Sequence, residues 1–133
     1  MSANLDLVRS IYRAWELGDF RSAEWAHPEI EYVMAEGPAP GNWTGLAEMA
    51  RAWGDFLSAW EWYRVEVDRY RELDDHRVLV LVRFSARAKT SGLELAQMRT
   101  ESATLFRVNG GKVTRLVVYW DREHALADLG LEE

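Results

Sequence analysis

The sequence contains no cysteine, which excludes disulfide bonds and thiol catalysis. No apolar run approaches the roughly 18–20 residues that a membrane-crossing helix needs. The first residues, Met1-Ser2-Ala3-Asn4-Leu5-Asp6, lack both a basic region and an apolar core. No secretory leader is therefore expected, and the cytoplasm is the expected compartment. Net positive charge is missing too. The formal charge is −6, whereas phosphate recognition needs a concentrated basic surface, so neither a nucleic-acid nor a membrane partner is expected. The three histidines, His27, His76 and His124, show no close ligand spacing, and no metal site is expected. Gly-rich phosphate loops, nucleophile elbows and Cys–His pairs are absent as well. No cofactor is expected.

What is present is a chain of 133 residues, 48% hydrophobic and 29% charged, with seven tryptophans. That length makes one domain, 1–133, able to bury around two-thirds of its unfolded surface. So much rigid aromatic area lines either a core or an apolar pocket. Arginines gather at Arg64, Arg69, Arg71, Arg77, Arg83, Arg87, Arg99 and Arg107. They alternate with apolar or acidic neighbours, as on the solvated or interface face of strands.

Leu5, Val8, Ile11, Tyr12 and Trp15 recur at the spacing of one helix face, with Asn4 as N-cap and Gly18 as stop. A second short helix is read from Asp19 to Trp25, halted at His27-Pro28, and a short strand over 30–34. The run from Glu36 to Asn42, broken by two prolines and two glycines, reads as a loop that would suit a lid. Thr44 or Asn42 is read as the cap of a helix carrying Leu46, Met49, Trp53, Phe56, Leu57 and Trp60. Residues 62–72 alternate, with Tyr63, Val65 and Val67 on one face and Arg64, Glu66 and Asp68 on the other. The near-continuous Val78-Leu79-Val80-Leu81-Val82 marks a strand covered on both faces. Asn109-Gly110 is a hairpin signal, since positive φ is needed at both central residues. Val113 to Trp120 reads as a packed strand. Asp121 then starts a short helix that Gly130 ends.

Helices segregated to one face of a curled antiparallel sheet make an α+β domain, with the helices on the concave face. The other face would then present Leu79, Leu81, Leu105, Val117 and Tyr119 among arginines. That is too apolar for free solvent, and a homodimer through the sheet is expected.

Several stretches together resemble the nuclear-transport-factor-2-like superfamily, and within it the SnoaL-like domains. They are Val8 to Phe20, His27-Pro28-Glu29-Ile30-Glu31, Asn42-Trp43-Thr44-Gly45, Ser91 to Leu95, and Phe106 to Val113 continuing through Tyr119-Trp120-Asp121 to Leu131. The resemblance covers nearly the whole chain. It implies a cone-shaped, cystatin-like α+β barrel whose open end admits a small apolar molecule. Strand parity then names the lining. With Trp120 inward, Val118, Leu116 and Thr114 follow, joined by Thr104 and Phe106, and by Val80, Val82 and Phe84. Tyr32, Met34, Trp53 and Tyr12 or Trp15 close the cavity.

This cone hosts isomerases, cyclases, hydrolases and non-catalytic modules, so the residues must decide. Ketosteroid-isomerase-like chemistry needs a carboxylate base where this chain has Met34, a tyrosine at Ile11 or Tyr12, and a protonated acid where it has Thr104. Epoxide-hydrolase-like chemistry needs ionisable groups where Val82, Phe84 and Val118 stand. Both are lost. Polyketide-cyclase-like members use an aspartate near the end of the last strand, where Asp121 lies. Asp121 is the catalytic candidate for acid/base chemistry such as cyclisation, isomerisation or dehydration, with Tyr12, Tyr32 or His27 as donors. Against it stands the simpler role of helix cap, in which backbone N–H groups keep the carboxylate a poor base. Tyr32, if it faces inward, has a hydroxyl to offer a ligand carbonyl. The rival reading is a non-catalytic ligand-binding or assembly module of the same fold.

Overall fold

In the computed structural model, residues 3–19, 24–35, 40–58, 60–88 and 97–131 are described. The helix read over 19–25 and most of the 36–42 lid fall largely outside them. Among the described residues, three helices and six strands follow in chain order: α1 (Ala3–Glu16), β1 (Ala26–Met34), β2 (Gly41–Thr44), α2 (Leu46–Ser58), β3 (Trp60–Glu72), β4 (Arg77–Ala88), β5 (Gln97–Asn109), β6 (Lys112–Tyr119) and α3 (Arg122–Leu129). The strands form one curled, unclosed sheet in the order β2-β1-β6-β5-β4-β3. This is the α+β cone anticipated from the sequence.

The sheet is mixed, not purely antiparallel. β1 runs parallel to β6, with Tyr32 opposite Leu116 and Met34 opposite Val118, and the other four pairings are antiparallel. The parallel pair arises because β1 and β6 are far apart in the chain and no tight turn dictates their direction. β2 went unread as a strand. Asn42 and Thr44, taken as helix caps, instead pair with Val33 and Glu31. Gly45 stands at the start of α2, its carbonyl accepting from Met49 N at 3.0 Å.

The β5–β6 hairpin sits one residue later than its sequence signal. Asn109 pairs with Lys112, and the two central residues are Gly110 (φ 60°) and Gly111 (φ 78°). Both take the positive φ that a tight hairpin demands, and glycine supplies it at least cost. Asn109 is left as a regular strand residue.

Inward residues of the sheet, Val78, Val80, Val82, Phe106, Val108, Val113 and Leu116, form one core with Val8, Ile11 and Tyr12 of α1 and Met49 of α2. The alternate residues of the same strands, Leu79, Leu81, Ala103, Val117 and Tyr119, form a second core on the opposite face with Ala125 and Leu126 of α3. This corrects the expectation that the helices share the concave face: α3 lies across the outer one. Of the residues expected to make a dimer face there, Leu79, Leu81, Val117 and Tyr119 are already 0–8% exposed within a single chain, and Leu105 is half-buried against the same core.

Asp121 and Gly130 bound α3 as read. Asp121 takes an extended conformation and its side chain accepts from Glu123 N at 3.0 Å. Gly130 is left-handed, with Gly130 N donating to Ala127 O and Leu131 N to Leu126 O, a closure that satisfies the last carbonyls. Between them Arg122 clamps the helix to the sheet. It is 7% exposed and donates through Nη2 to Asp68 Oδ2 (2.8 Å) and Val82 O (2.9 Å), and through Nε to Ser102 O (3.4 Å). Asp68 falls where the β3–β4 register shifts between Val67 and Arg69, a bulge that re-aims a side chain. Its second oxygen accepts from Arg83 Nε at 2.8 Å.

Candidate functional site

The inner core is not filled throughout. Where α2 bridges the open end of the sheet, a cavity of about 400 Å³ remains, within the range of small-molecule sites. The sheet contributes Tyr32 and Met34 from β1, Tyr63 and Val65 from β3, Val82 and Phe84 from β4, Ser102 and Thr104 from β5, and Leu116 and Val118 from β6, with Trp120 just beyond. Tyr12 and Trp15 of α1, Trp25, and Met49, Ala50, Trp53, Gly54, Phe56 and Leu57 of α2 complete the wall.

The gap follows from the residue types. Nine of the twenty described wall residues are aromatic, and they meet one another edge to face more than they interdigitate. Tyr12 stands edge-on to Trp15 at 4.9 Å, and Phe84 edge-on to Trp120 at 4.9 Å. Trp53 stacks on Phe56 at 5.3 Å and Tyr63 on Phe84 at 5.6 Å. Rigid planes braced in this way hold a space open that flexible aliphatic chains would collapse into. α2 adds to the effect: Met49 is its one buried residue, and Trp53, Phe56 and Leu57 are half-buried.

The wall is electrically neutral. None of its described residues is a carboxylate, imidazole, ammonium or guanidinium group. Its titratable groups are three phenols. Burial raises the pKa of Tyr12 well above the usual range, against a hydrogen bond with Thr104 that lowers it. Burial also raises Tyr32, and raises Tyr63 with a smaller contribution from Tyr32 nearby. All three stay protonated at neutral pH. The Tyr32 hydroxyl is buried with no hydrogen-bond partner among the described residues.

Of the residues named from strand parity and helix spacing, Tyr12, Trp15, Tyr32, Met34, Trp53, Val82, Phe84, Thr104, Leu116, Val118 and Trp120 come together around this space. Val80 and Phe106 do not. Both are 0% exposed and belong to the filled part of the inner core, where Phe106 packs edge-on to Tyr12 at 5.7 Å. Thr114 is also elsewhere, its hydroxyl accepting from Asn109 Nδ2 at 3.0 Å. Trp25, Met49, Ala50, Gly54, Phe56, Leu57, Tyr63, Val65 and Ser102 line it as well, beyond the residues expected from the sequence. Tyr63 and Val65 were legible, since the alternation of β3 already put them on one face. Met49, Phe56 and Leu57 shared a helix face with Trp53.

Asp121 is exposed and is not part of the cavity wall; its carboxylate caps α3. His27 Nδ1 accepts from Glu29 N at 3.0 Å. His76 lies in the β3–β4 turn, its backbone N–H bound to Asp74 Oδ1 at 2.8 Å. His124 is exposed on α3 beside Asp128. None of the three borders the cavity. Among the described residues no group of three or more His, Cys, Asp or Glu is placed to hold a metal ion. No helix among them is long and apolar enough to cross a membrane.

The fold is the nuclear-transport-factor-2-like α+β cone, shared with solved structures along their full length. One from Burkholderia thailandensis, a nuclear-transport-factor-2-like protein, is 22% identical, covers 100% of both chains and gives a TM-score of 0.78. Another of that description from Burkholderia pseudomallei is 17% identical over 96% of this chain and 97% of its own, with a TM-score of 0.78. TerC, crystallised with polyporic acid, is 20% identical over 96% and 98%, with a TM-score of 0.75. At these identities the likeness is one of fold. No curated protein matches the chain by sequence. The family is set by residues 8–116, which match the model of the SnoaL-like domain. The chain belongs to the SnoaL-like family.

Proposed function

We propose that this SnoaL-like domain binds a small, largely apolar molecule in the cavity beneath α2 and does not act on it by acid–base catalysis. The observation that carries this reading is the wall itself: about 400 Å³ of space bounded by aromatic and aliphatic side chains and the hydroxyls of Ser102 and Thr104, with no charged group among the described residues. A general acid or base must reach the reacting atom and titrate near the working pH. The buried phenols are held far from that range, and Asp121 is occupied outside the cavity in capping α3. The solved TerC structure, of the same fold, was crystallised with polyporic acid, which is in keeping with a small-molecule site in the cone.

The homodimer expected from the sequence is a separate proposal, which light scattering tests: a monomer at micromolar concentration would refute it.

The binding test uses the neutral fluorescent probe N-phenyl-1-naphthylamine. Its emission should rise on titration with the protein, and the protein's tryptophan emission should fall. Val118→Phe, which projects a ring into the space, should weaken probe affinity at least tenfold while circular dichroism stays unchanged. A folded protein that leaves the probe in water would refute the proposal.

A further inference from the structure

The hydroxyl of Tyr32 is the part of the cavity wall that packing does not explain. The ring is well held, stacked on Trp43 at 5.6 Å across the β1–β2 pair and edge-on to Trp53 of α2 at 6.4 Å. The residue is 2% exposed. Its oxygen exposes less than 1 Å² and has no partner among the described residues. A buried hydroxyl left unbonded is destabilising, and phenylalanine would give the same ring without it. The neighbouring phenol shows the contrast: the Tyr12 hydroxyl bonds with Thr104. Among the described residues the wall holds no cation, so a carboxylate ligand would be buried uncompensated.

We infer that the Tyr32 hydroxyl is a specificity-determining donor, and that the cavity takes a neutral carbonyl compound, an apolar ring-bearing ketone whose oxygen accepts from it. The inference rests on the binding role proposed above and names the ligand class. A protonated phenol facing a neutral acceptor satisfies both groups without moving a proton or a charge into the apolar interior. Tyr63 of β3 is a further phenol among the lining residues. The Tyr32 oxygen is sealed from water. The ligand reaches it as Trp53 and the lightly packed α2, with its single buried residue Met49, give way. The rest of the wall discriminates little among apolar shapes, whereas an unpaired donor penalises every ligand that lacks an acceptor.

Displacement of N-phenyl-1-naphthylamine by three matched probes tests this on the intact chain and on Tyr32→Phe. The probes are 2-acetylnaphthalene, 2-ethylnaphthalene and 2-naphthoate. In the native protein the ketone should bind about tenfold more tightly than the hydrocarbon, the usual worth of one buried hydrogen bond, and the carboxylate weakest of the three. Tyr32→Phe should erase the ketone's advantage, leave the hydrocarbon's affinity unchanged, and melt at a higher temperature than the native protein without ligand. Equal affinities in the native protein, a ketone preference that survives Tyr32→Phe, or tightest binding of the carboxylate overturns the donor assignment. Hydrocarbon binding without ketone preference overturns that assignment alone. Failure of all three probes overturns the cavity reading with it.

Discussion

The two faces of the sheet are made by the same strands and have opposite physics. Inward side chains of β4, β5 and β6 meet α1 and α2 and leave about 400 Å³ unfilled and uncharged. Outward side chains one position along meet α3 in a smaller core of Leu79, Leu81, Ala103, Val117 and Tyr119, and a buried guanidinium closes it. Arg122 reaches three strands at once, bonding Asp68 of β3 and the carbonyls of Val82 and Ser102. The filled face can hold the sheet's shape while the other face stays open for a ligand. Stability and vacancy are thus divided between neighbouring residues, and each can be disturbed without the other.

The largest test is a matched pair of truncations. Leu79→Ala, from the filled face (0% exposed), should cost about 3–4 kcal/mol, because it removes contacts on every side and leaves a new hole. Leu116→Ala, from the cavity wall (4% exposed), should cost only about 2 kcal/mol, since part of its surface already lacks neighbours. Urea midpoints measure both. Equal losses would erase the distinction between the faces.

Next in size is the clamp. Arg122→Met should lower stability by about 2 kcal/mol, with probe affinity retained at 25 °C. The figure is below that for a fully buried pair because the Asp68 side chain is 25% exposed and keeps Arg83. The Arg122 hydrogen bond, assisted by that of Arg83, holds the Asp68 carboxyl below the usual carboxylate range. A carboxyl depressed in the folded state stabilises above its unfolded pKa of about 3.9 and loses that contribution as pH falls through the folded value. The stability gap between the native protein and Asp68→Asn should therefore be steady near neutrality and shrink below about pH 4. A gap that widens on acidification would contradict the clamp.

The smallest effect concerns Asp121. Replacing it with alanine removes an N-cap and should cost about 1 kcal/mol, lowering the melting temperature while N-phenyl-1-naphthylamine binding is unchanged. Lost binding at an unchanged melting temperature would return Asp121 to the cavity and reopen acid–base chemistry there.

Much of the fold was legible because the signals are local. The apolar spacing of α1, the alternation of β3, and Asp121 and Gly130 at the ends of α3 each depend on residues a few positions apart. The hairpin was legible to within one residue; Gly110-Gly111 won the turn from Asn109-Gly110 because two glycines meet the positive-φ demand more cheaply than asparagine and glycine. β2 was hidden for a different reason. Four residues, Gly41–Thr44, carry no period of their own, and they become a strand only because β1 offers an edge to pair with.

The candidate site was legible as a set of inward positions and not as a space. Parity placed Val80 and Val82 on one face, yet Val80 is packed solid and Val82 borders the cavity. The difference lies in what sits above them, and no local pattern records it. By itself the sequence determined the elements other than β2, most of their inward and outward faces, and the absence of charge at those inward positions, since these follow from backbone preference and a period of two. Only the tertiary structure decided that α3 crosses to the outer face, that β1 runs parallel to β6, that the aromatic rings brace a cavity open, and that the Tyr32 hydroxyl is left without a partner among the described residues. Each of these depends on distances between residues tens of positions apart, which are set by packing rather than by propensity.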